Sequence, residues 1–316
     1  MCASYGTGSA RPIAGAHSGG ILDNIRGIAL VVLSMAAFTI EDMFIKSLTA
    51  AVPTGQVLFF LGAGGAVVFA LMARAKGHGL VRPFLTMPTL RIRTLGEAVA
   101  SVFFVTSLSL VPLATVAAVF QALPLAATLA AALFMGERVG WRRWAAICVG
   151  FSGVVLIIRP GMAGFNAASL LVLMAVAGIT LRDLISRRLP RDLPSSVVSF
   201  HGFMALVVVG PLLVWGRGQT LVALDLLQSL FMAAAIGFGV LGYYAIVIAT
   251  RTADASVITP FRYTRLLFSI LIGIVVFHEI PDTLTYAGAA LIVGSGLYTF
   301  MRERRLARQS AAIGAR

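Results

Sequence analysis

Ten runs of about 20 mostly apolar residues fill this chain of 316 residues, and no other feature restricts its fold as strongly. An α-helix needs about 20 apolar residues to cross roughly 30 Å of hydrocarbon, where it satisfies its own backbone hydrogen bonds. Only 12% of the residues are charged, well below the share of about 25% in soluble domains. The sequence therefore predicts an all-α, polytopic membrane protein. The predicted spans are 25–48, 55–74, 92–110, 114–135, 141–158, 167–187, 195–215, 224–248, 255–277 and 283–301.

The net charge of +13 is distributed over the segments that connect the spans. Lys and Arg collect before span one and after each even-numbered span, whereas only Arg159 and Arg217 follow odd-numbered spans. The positive-inside rule then predicts that both termini lie in the cytoplasm. We expect a multi-pass protein of a bacterial inner membrane. Orientation and contact with anionic lipid account for the basic charge, so nucleic acid is not expected as a partner. We interpret residues 1–20 as a disordered cytoplasmic tail and 306–316 as a basic one.

The two halves of the chain resemble each other. A shift of 141 residues aligns Ala36 with Ala177, Thr39 with Thr180, Asp42 with Asp183, Lys46 with Arg187 and Pro53 with Pro194. Each half holds five spans, an odd number, so the second half would enter the membrane from the opposite side. We predict two inverted five-helix repeats, 21–160 and 161–305. Secondary transporters are often built in this way, with the binding site near the bilayer midplane.

The two half ends carry the motifs "FMGERVGWRRWAAICVGFSGVVLI" and "FHEIPDTLTYAGAALIVGSGLYTF". With the ten spans and the acidic-then-basic pattern of spans one and six, they resemble the EamA-type members of the drug/metabolite transporter superfamily over residues 21–305. The resemblance implies ten helices, cytoplasmic termini and a central cavity. It also implies that spans three, four, eight and nine line most of that cavity, helped by spans one and six. The family handles very different small molecules, so the resemblance leaves the substrate open.

Charged side chains within the spans are the first candidates for function, because each costs about 2.5 to 3.5 kcal/mol at the bilayer centre. Asp42 and Lys46 are four residues apart, as are Asp183 and Arg187, so each pair is predicted to form an ion pair on one helix face. Such pairs could serve as gates or as braces between helices, and the sequence favours neither. The charged residues within spans are Glu41, Asp42, Lys46, Glu97, Arg182, Asp183, Arg262 and Arg265.

Three further carboxylates, those of Glu41, Glu137 and Glu279, are predicted to have different roles. Glu41 is predicted to point into the protein interior, and a pair with Arg182 across the pseudo-axis is a further hypothesis. Glu137 and Glu279 end spans four and nine, where a negative charge opposes the helix dipole. We expect both to accept backbone N–H groups at the start of the next helix, which is a structural role.

Span nine breaks the symmetry between the halves. A shift of 142 residues matches Arg262 with Phe120, Tyr263 with Gln121 and Arg265 with Leu123, so only span nine carries guanidinium groups at this depth. Arg262 and Arg265 share a helix face just after Pro260, whose ring interrupts the helix. They are predicted to bind substrate oxygen atoms, although one or both could instead neutralise Glu97.

The predicted substrate-binding set adds residues from spans one and four. Gln121 can donate and accept hydrogen bonds, either to substrate or to another helix, and Pro124 is expected to kink span four. The complete set is Arg262, Arg265, Tyr263, Gln121, Phe120 and Glu41.

The sequence thus predicts a secondary transporter that moves a small metabolite by alternating access. Two guanidinium groups beside aromatic side chains suit a planar solute with carbonyl oxygen atoms, and the resemblance makes riboflavin-type uptake the first hypothesis. An S-adenosylmethionine-like, amino-acid or drug transporter is the alternative. A catalytic constellation, a metal-ligand spacing and a cofactor motif are not visible in the sequence, so we expect neither an enzyme nor a cofactor. The direction of transport, its energy source and the oligomeric state stay open.

Overall fold

The computed structural model describes residues 21–136, 140–162, 165–186, 188–190, 192–253 and 255–314. Within these ranges the chain is all-α, and ten helices are long and apolar enough to span a membrane, which confirms the predicted spans. The predicted N-terminal tail, Glu137 and Arg187 lie outside the described residues. The elements are α1 (Ile21–Thr49), α2 (Thr54–Ala75), α3 (Val81–Thr86), α4 (Pro88–Leu110), α5 (Leu113–Phe120), α6 (Leu123–Phe134), α7 (Trp141–Ile158), α8 (Ser169–Ser186), α9 (Ser195–Gly216), α10 (Leu226–Thr252), α11 (Ala255–Ile258), a 3-10 segment (Thr259–Tyr263), α12 (Thr264–Phe277) and α13 (Thr283–Gly314).

Proline and one capping box set several of the helix starts. Pro53, Pro112 and Pro194 each stand directly before the first residue of a spanning helix. Proline suits this place because its ring fixes φ and its missing N–H leaves no donor unsatisfied. At the start of α10, the Asp225 side chain accepts from the Gln228 backbone while the Gln228 side chain accepts from the Asp225 N–H. This capping box ends the preceding loop.

Two spans are interrupted in the middle. Span four consists of α5 and α6, which are separated at Gln121 and Ala122 just before Pro124. Span nine consists of α11, the 3-10 segment that contains Pro260, and α12. The expected kink at Pro124 and the helix interruption at Pro260 are therefore confirmed. Broken helices of this kind leave backbone groups free near the membrane midplane.

The helices pack in pairs that are distant in sequence. Helix α1 packs along α10, α2 along α9, α4 along α8, α7 along α13, and α5 against α12. This set of pairs is unchanged if each span of the first half is exchanged with its counterpart in the second, as a two-fold arrangement requires. The opposite orientation of the halves stays a prediction.

Small residues allow the closest helix crossing. A Cβ atom added to Gly210 of α9 would lie 2.5 Å from the Gly55 carbonyl oxygen of α2, so neither backbone can accept a side chain there. Lipid tails are as apolar as leucine, so such close backbone packing is a main source of helix association in membranes. The two glycines therefore allow α2 and α9 to pack closely against each other.

Candidate functional site

The candidate site lies where spans four and nine are interrupted. The two interruptions come close because α5 packs against α12, and α12 also packs against α1. The guanidinium carbon of Arg265, in the first turn of α12, lies 6.0 Å from the Phe120 ring at the end of α5. Arg265 and Phe120, two members of the predicted substrate-binding set, therefore lie close together.

Arg265 forms an ion pair with Asp42 of α1. The Arg265 Nη2 and Asp42 Oδ2 atoms are 2.6 Å apart, and only 6% of the Asp42 side chain is exposed. Aromatic rings surround the guanidinium, with Phe38 at 5.6 Å and Phe104 at 5.9 Å from its carbon to the ring centroids. The expected pair of Asp42 with Lys46 is wrong, because a partner from another helix takes the carboxylate. The sequence analysis did not predict a role for Phe38. Its spacing of four residues from Asp42, which places both side chains on one helix face, was the available signal.

Lys46 instead joins three other chain segments at the end of α1. Its ammonium group lies 2.9 Å from Glu279 Oε1 and donates to the Val111 carbonyl oxygen at 2.7 Å. The other Glu279 oxygen accepts the N–H of Leu113, the first residue of α5. The expectation that Glu279 caps the next helix is wrong, because it caps α5 in the other half of the chain. This Lys46–Glu279 cluster ties α1, α4, α5 and α12 together.

A second ionic cluster lies between α4 and α8. Glu97 binds Arg182 at 2.9 Å and Arg93 at 3.1 Å, and Arg182 also pairs with Asp183 at 2.8 Å. The hypothesis that Arg182 pairs with Glu41 is therefore wrong. Glu97 has two partners already, so neither arginine of span nine is needed to neutralise it. Sequence analysis missed Arg93, although its spacing of four residues from Glu97 was a signal.

The predicted pair of Asp183 with Arg187 falls partly outside the described residues, because the structure does not describe Arg187. Asp183 uses the adjacent Arg182 as its partner, and 55% of its side chain is exposed. A carboxylate this open remains available to other cations.

Glu41 lies between α1 and α10. Its carboxylate lines a small cavity with Leu61 and Phe203, and it faces Gly239 of α10. A Cβ atom at Gly239 would lie 2.5 Å from Glu41 Oε1, so this glycine makes the space for the carboxylate. Within the described part of the chain, the Glu41 side chain has no hydrogen-bond or ion-pair partner. The predicted inward orientation of Glu41 is therefore present.

Arg262 is, like Glu41, a charged span residue without an ionic partner in the described part of the chain. It is exposed, and its guanidinium forms no hydrogen bond or ion pair with any residue that the structure describes. Since Arg265 is held by Asp42, Arg262 is the guanidinium of span nine that has no partner among the described residues.

Two further predicted site residues have different surroundings. Gln121 is 7% exposed, and its side-chain amide has no partner among the described residues, so the alternative of a helix-to-helix hydrogen bond is not present there. The Tyr263 hydroxyl packs against Gly296 of α13. No group of three or more His, Cys, Asp or Glu residues in the described ranges could hold a metal ion.

Ten spans, two interrupted helices and unpaired polar groups beside the interruptions define a polytopic membrane transporter. A family model described as the EamA-like transporter family matches residues 25–159 and again 166–301. The chain therefore belongs to the EamA-like transporter family, as the sequence motifs indicated.

Several curated relatives are similar over most of the chain. An S-adenosylmethionine uptake transporter of Rickettsia bellii is 25% identical over 88% of this chain and 94% of its own length. The pseudopaline exporter CntI of Pseudomonas aeruginosa is 27% identical over 86% of this chain and 95% of its own. A riboflavin transporter of Rhizobium johnstonii is 32% identical over 66% of this chain and 68% of its own. A solved crystal structure that is 24% identical matches with a TM-score of 0.60 over 88% of this chain and 98% of its own, which supports the fold.

Proposed function

We propose that this protein is a secondary transporter of a bacterial inner membrane that carries a small, oxygen-rich metabolite by alternating access, with riboflavin-type uptake as the first hypothesis. The observation that carries the proposal is the guanidinium of Arg262 beside the interruption of span nine, which has no partner among the residues that the structure describes. An ionisable group inside a span is expensive, and it is usually retained because it lines a water-filled path or binds a solute.

The chemistry of the free guanidinium restricts the substrate. A guanidinium fork presents parallel N–H donors that fit carboxylates, phosphates and paired carbonyl oxygens. Phe104 and Phe120, which lie beside Arg265, add aromatic surface, and their ring centroids are 4.7 Å apart. Gln121 adds an amide that can donate and accept. A planar heteroaromatic solute with carbonyl acceptors would use all three kinds of contact.

The site also supports a second candidate, a cationic metabolite similar to S-adenosylmethionine. The specific observation is Glu41, whose carboxylate has no partner in the described part of the chain, together with the open carboxylate of Asp183. In this case a carboxylate of the solute would bind Arg262 while its positive centre would approach Glu41 or Asp183. The two candidates thus require the same arginine and differ in their need for the acids.

Growth rescue of a riboflavin-requiring bacterium at limiting vitamin tests the first candidate. The parent is expected to rescue growth, Arg262→Ala to fail at comparable membrane abundance, and Arg217→Ala, which removes an arginine outside the spans, to behave as the parent. Failure of the parent would end the riboflavin hypothesis, and rescue by Arg262→Ala would end the site assignment.

Uptake of labelled S-adenosylmethionine into the same cells separates the second candidate. Uptake that requires both Arg262 and Glu41 would favour the cationic metabolite over riboflavin.

The orientation is tested separately by tags near residues 80 and 220, which the inverted-repeat prediction places on opposite sides of the membrane. Tags on the same side would refute that architecture.

A further inference from the structure

A groove of about 370 Å³ opens between α7 and α13, away from the candidate transport site. Ligand pockets in proteins commonly measure roughly 300 to 1,000 Å³, so the groove is large enough for part of a small molecule. Its walls are mostly apolar, with Ala145 and Val149 on α7 and Gly294 on α13. Trp141, 74% exposed, and Tyr298, 46% exposed, stand at the mouth.

Small residues bring α7 and α13 into close contact beside the groove. A Cβ atom on Gly153 would lie 2.6 Å from the Gly288 carbonyl oxygen, and the reverse distance is also 2.6 Å, so the backbones are in contact there. About two turns further along α13, a Cβ atom on Gly294 would meet nothing within 4 Å. Gly294 therefore leaves the floor of the groove open.

Arg142 places a cation at the mouth of the groove. The Arg142 guanidinium carbon lies 5.3 Å from the Trp141 ring, and Arg142 has no hydrogen-bond or ion-pair partner among the described residues. Arg302 and Arg305 follow Tyr298 by about one and two turns on α13, so the same end of the groove is basic. Tryptophan and tyrosine are enriched at this level of a bilayer, where headgroups meet acyl chains.

We propose that this groove binds one anionic phospholipid, with its phosphate on Arg142 and an acyl chain along Ala145, Val149 and Gly294. Basic pockets between transmembrane helices recognise acidic headgroups in this way. The apolar floor favours a lipid over free phosphate, which would gain nothing from it. A second copy of this chain docked by two-fold symmetry would bring Arg142, Arg302 and Arg305 of both copies together, and their like charges repel.

Native mass spectrometry of the full-length protein in detergent tests the proposal with two probes that share their acyl chains, phosphatidylglycerol and phosphatidylcholine. The parent is expected to retain phosphatidylglycerol selectively. Arg142→Gln should weaken its binding about fivefold, the contribution of one basic side chain at an anionic membrane surface. Gly294→Leu should weaken both lipids, because the new side chain fills the floor without meeting protein atoms.

Two matched variants serve as controls. Arg217→Gln removes an arginine that also follows an exposed tryptophan, Trp215, at a span end. Gly237→Leu adds a side chain at another glycine of a spanning helix whose Cβ position is open. Both should bind phosphatidylglycerol as the parent does. Equal losses in Arg142→Gln and Arg217→Gln, or unchanged binding in Gly294→Leu, would overturn the proposal. A dimer that Gly294→Leu dissociates without loss of lipid would also overturn it and assign the groove to a second copy.

Discussion

Replacement of Arg265 should destabilise the protein, whereas replacement of Arg262, three residues earlier, should not. Arg265 neutralises Asp42, whose side chain is only 6% exposed. Loss of one partner of a buried pair leaves an uncompensated charge and costs about 3 to 5 kcal/mol. Arg262 has no ionic partner among the described residues, so its replacement leaves no orphaned carboxylate. We expect Arg265→Leu to lower the free energy of unfolding by about 3 to 5 kcal/mol and Arg262→Leu by less than about 1 kcal/mol.

A double-mutant cycle isolates the ionic part of this effect. Asp42→Asn with Arg265→Leu removes both charges and leaves mainly the loss of contacts between the guanidinium and its three rings. The ring centroids lie 5.6 to 6.0 Å from the guanidinium carbon, at the far edge of the cation–π range, so each contact contributes about 0.5 kcal/mol. The double variant should therefore lose only about 1.5 kcal/mol, less than either single variant.

Denaturation of the purified protein in mixed micelles measures these free energies, and substrate uptake is measured on the same preparations. We expect opposite patterns: Arg262→Leu is stable but inactive, and Arg265→Leu is unstable. Equal losses of stability in the two single variants, or a double variant that loses the sum of its singles, would refute the assignment of Arg265 to Asp42.

Three further predictions concern Glu279, Asp282 and Gly210. Glu279→Gln should keep more transport than Glu279→Ala, because the amide oxygen can still accept the Leu113 N–H; uptake rates measure this. The Arg159 guanidinium, which donates to Asp282 outside the spans, lowers the pKa of that carboxyl to about 2. Stability from this pair is therefore present above about pH 4 and lost as the pH falls towards 2, and Asp282→Asn should flatten an acid denaturation curve there. With half of the Asp282 side chain exposed, the loss at neutral pH should stay below about 1 kcal/mol. Gly210→Ala should cost about 1 to 3 kcal/mol or abolish folding, as seen in the yield of monodisperse protein.

Controls for these three follow from the same structure. Gly237→Ala, with an open Cβ position, should leave the yield of protein unchanged. A charge reversal of Lys46 and Glu279 should not restore transport, because lysine cannot accept the Leu113 N–H and glutamate cannot donate to the Val111 carbonyl. Full rescue by this reversal would show that charge alone holds the cluster. If the acid transition is unchanged in Asp282→Asn, the Arg159–Asp282 pair does not contribute to stability in acid.

The spans were predictable from the sequence because their signal is local. Twenty apolar residues in a row, or a proline in the middle of such a run, constrain the backbone whatever surrounds them. The ten spans and the interruptions near Pro124 and Pro260 are therefore present in both the prediction and the structure. The short helix α3 was not predicted, since six residues with two prolines nearby give no periodic signal.

The ionic partners were not predictable from the sequence. Spacing along one helix favours partners four residues apart, whereas tertiary packing brings together charges from different helices. A pair spaced by four residues stabilises an exposed helix by only about 0.2 to 0.5 kcal/mol. In a membrane interior the alternative for each charge is an unpaired state that costs several times more, so the best partner across a helix interface prevails. Asp42 thus binds Arg265 from span nine, and Lys46 binds Glu279.

The separate fates of Arg262 and Arg265 follow from this competition. Their spacing places two identical groups on one face of span nine, and the sequence offers no reason to distinguish them. The buried carboxylate of Asp42 forms its ion pair with Arg265. Arg262 is thus the guanidinium of span nine without an ionic partner in the described ranges. The proposed solute site at Arg262 is therefore separate from the Asp42–Arg265 pair that connects span one to span nine. We expect substrate affinity and helix packing to change independently, which Arg262→Leu and Arg265→Leu test.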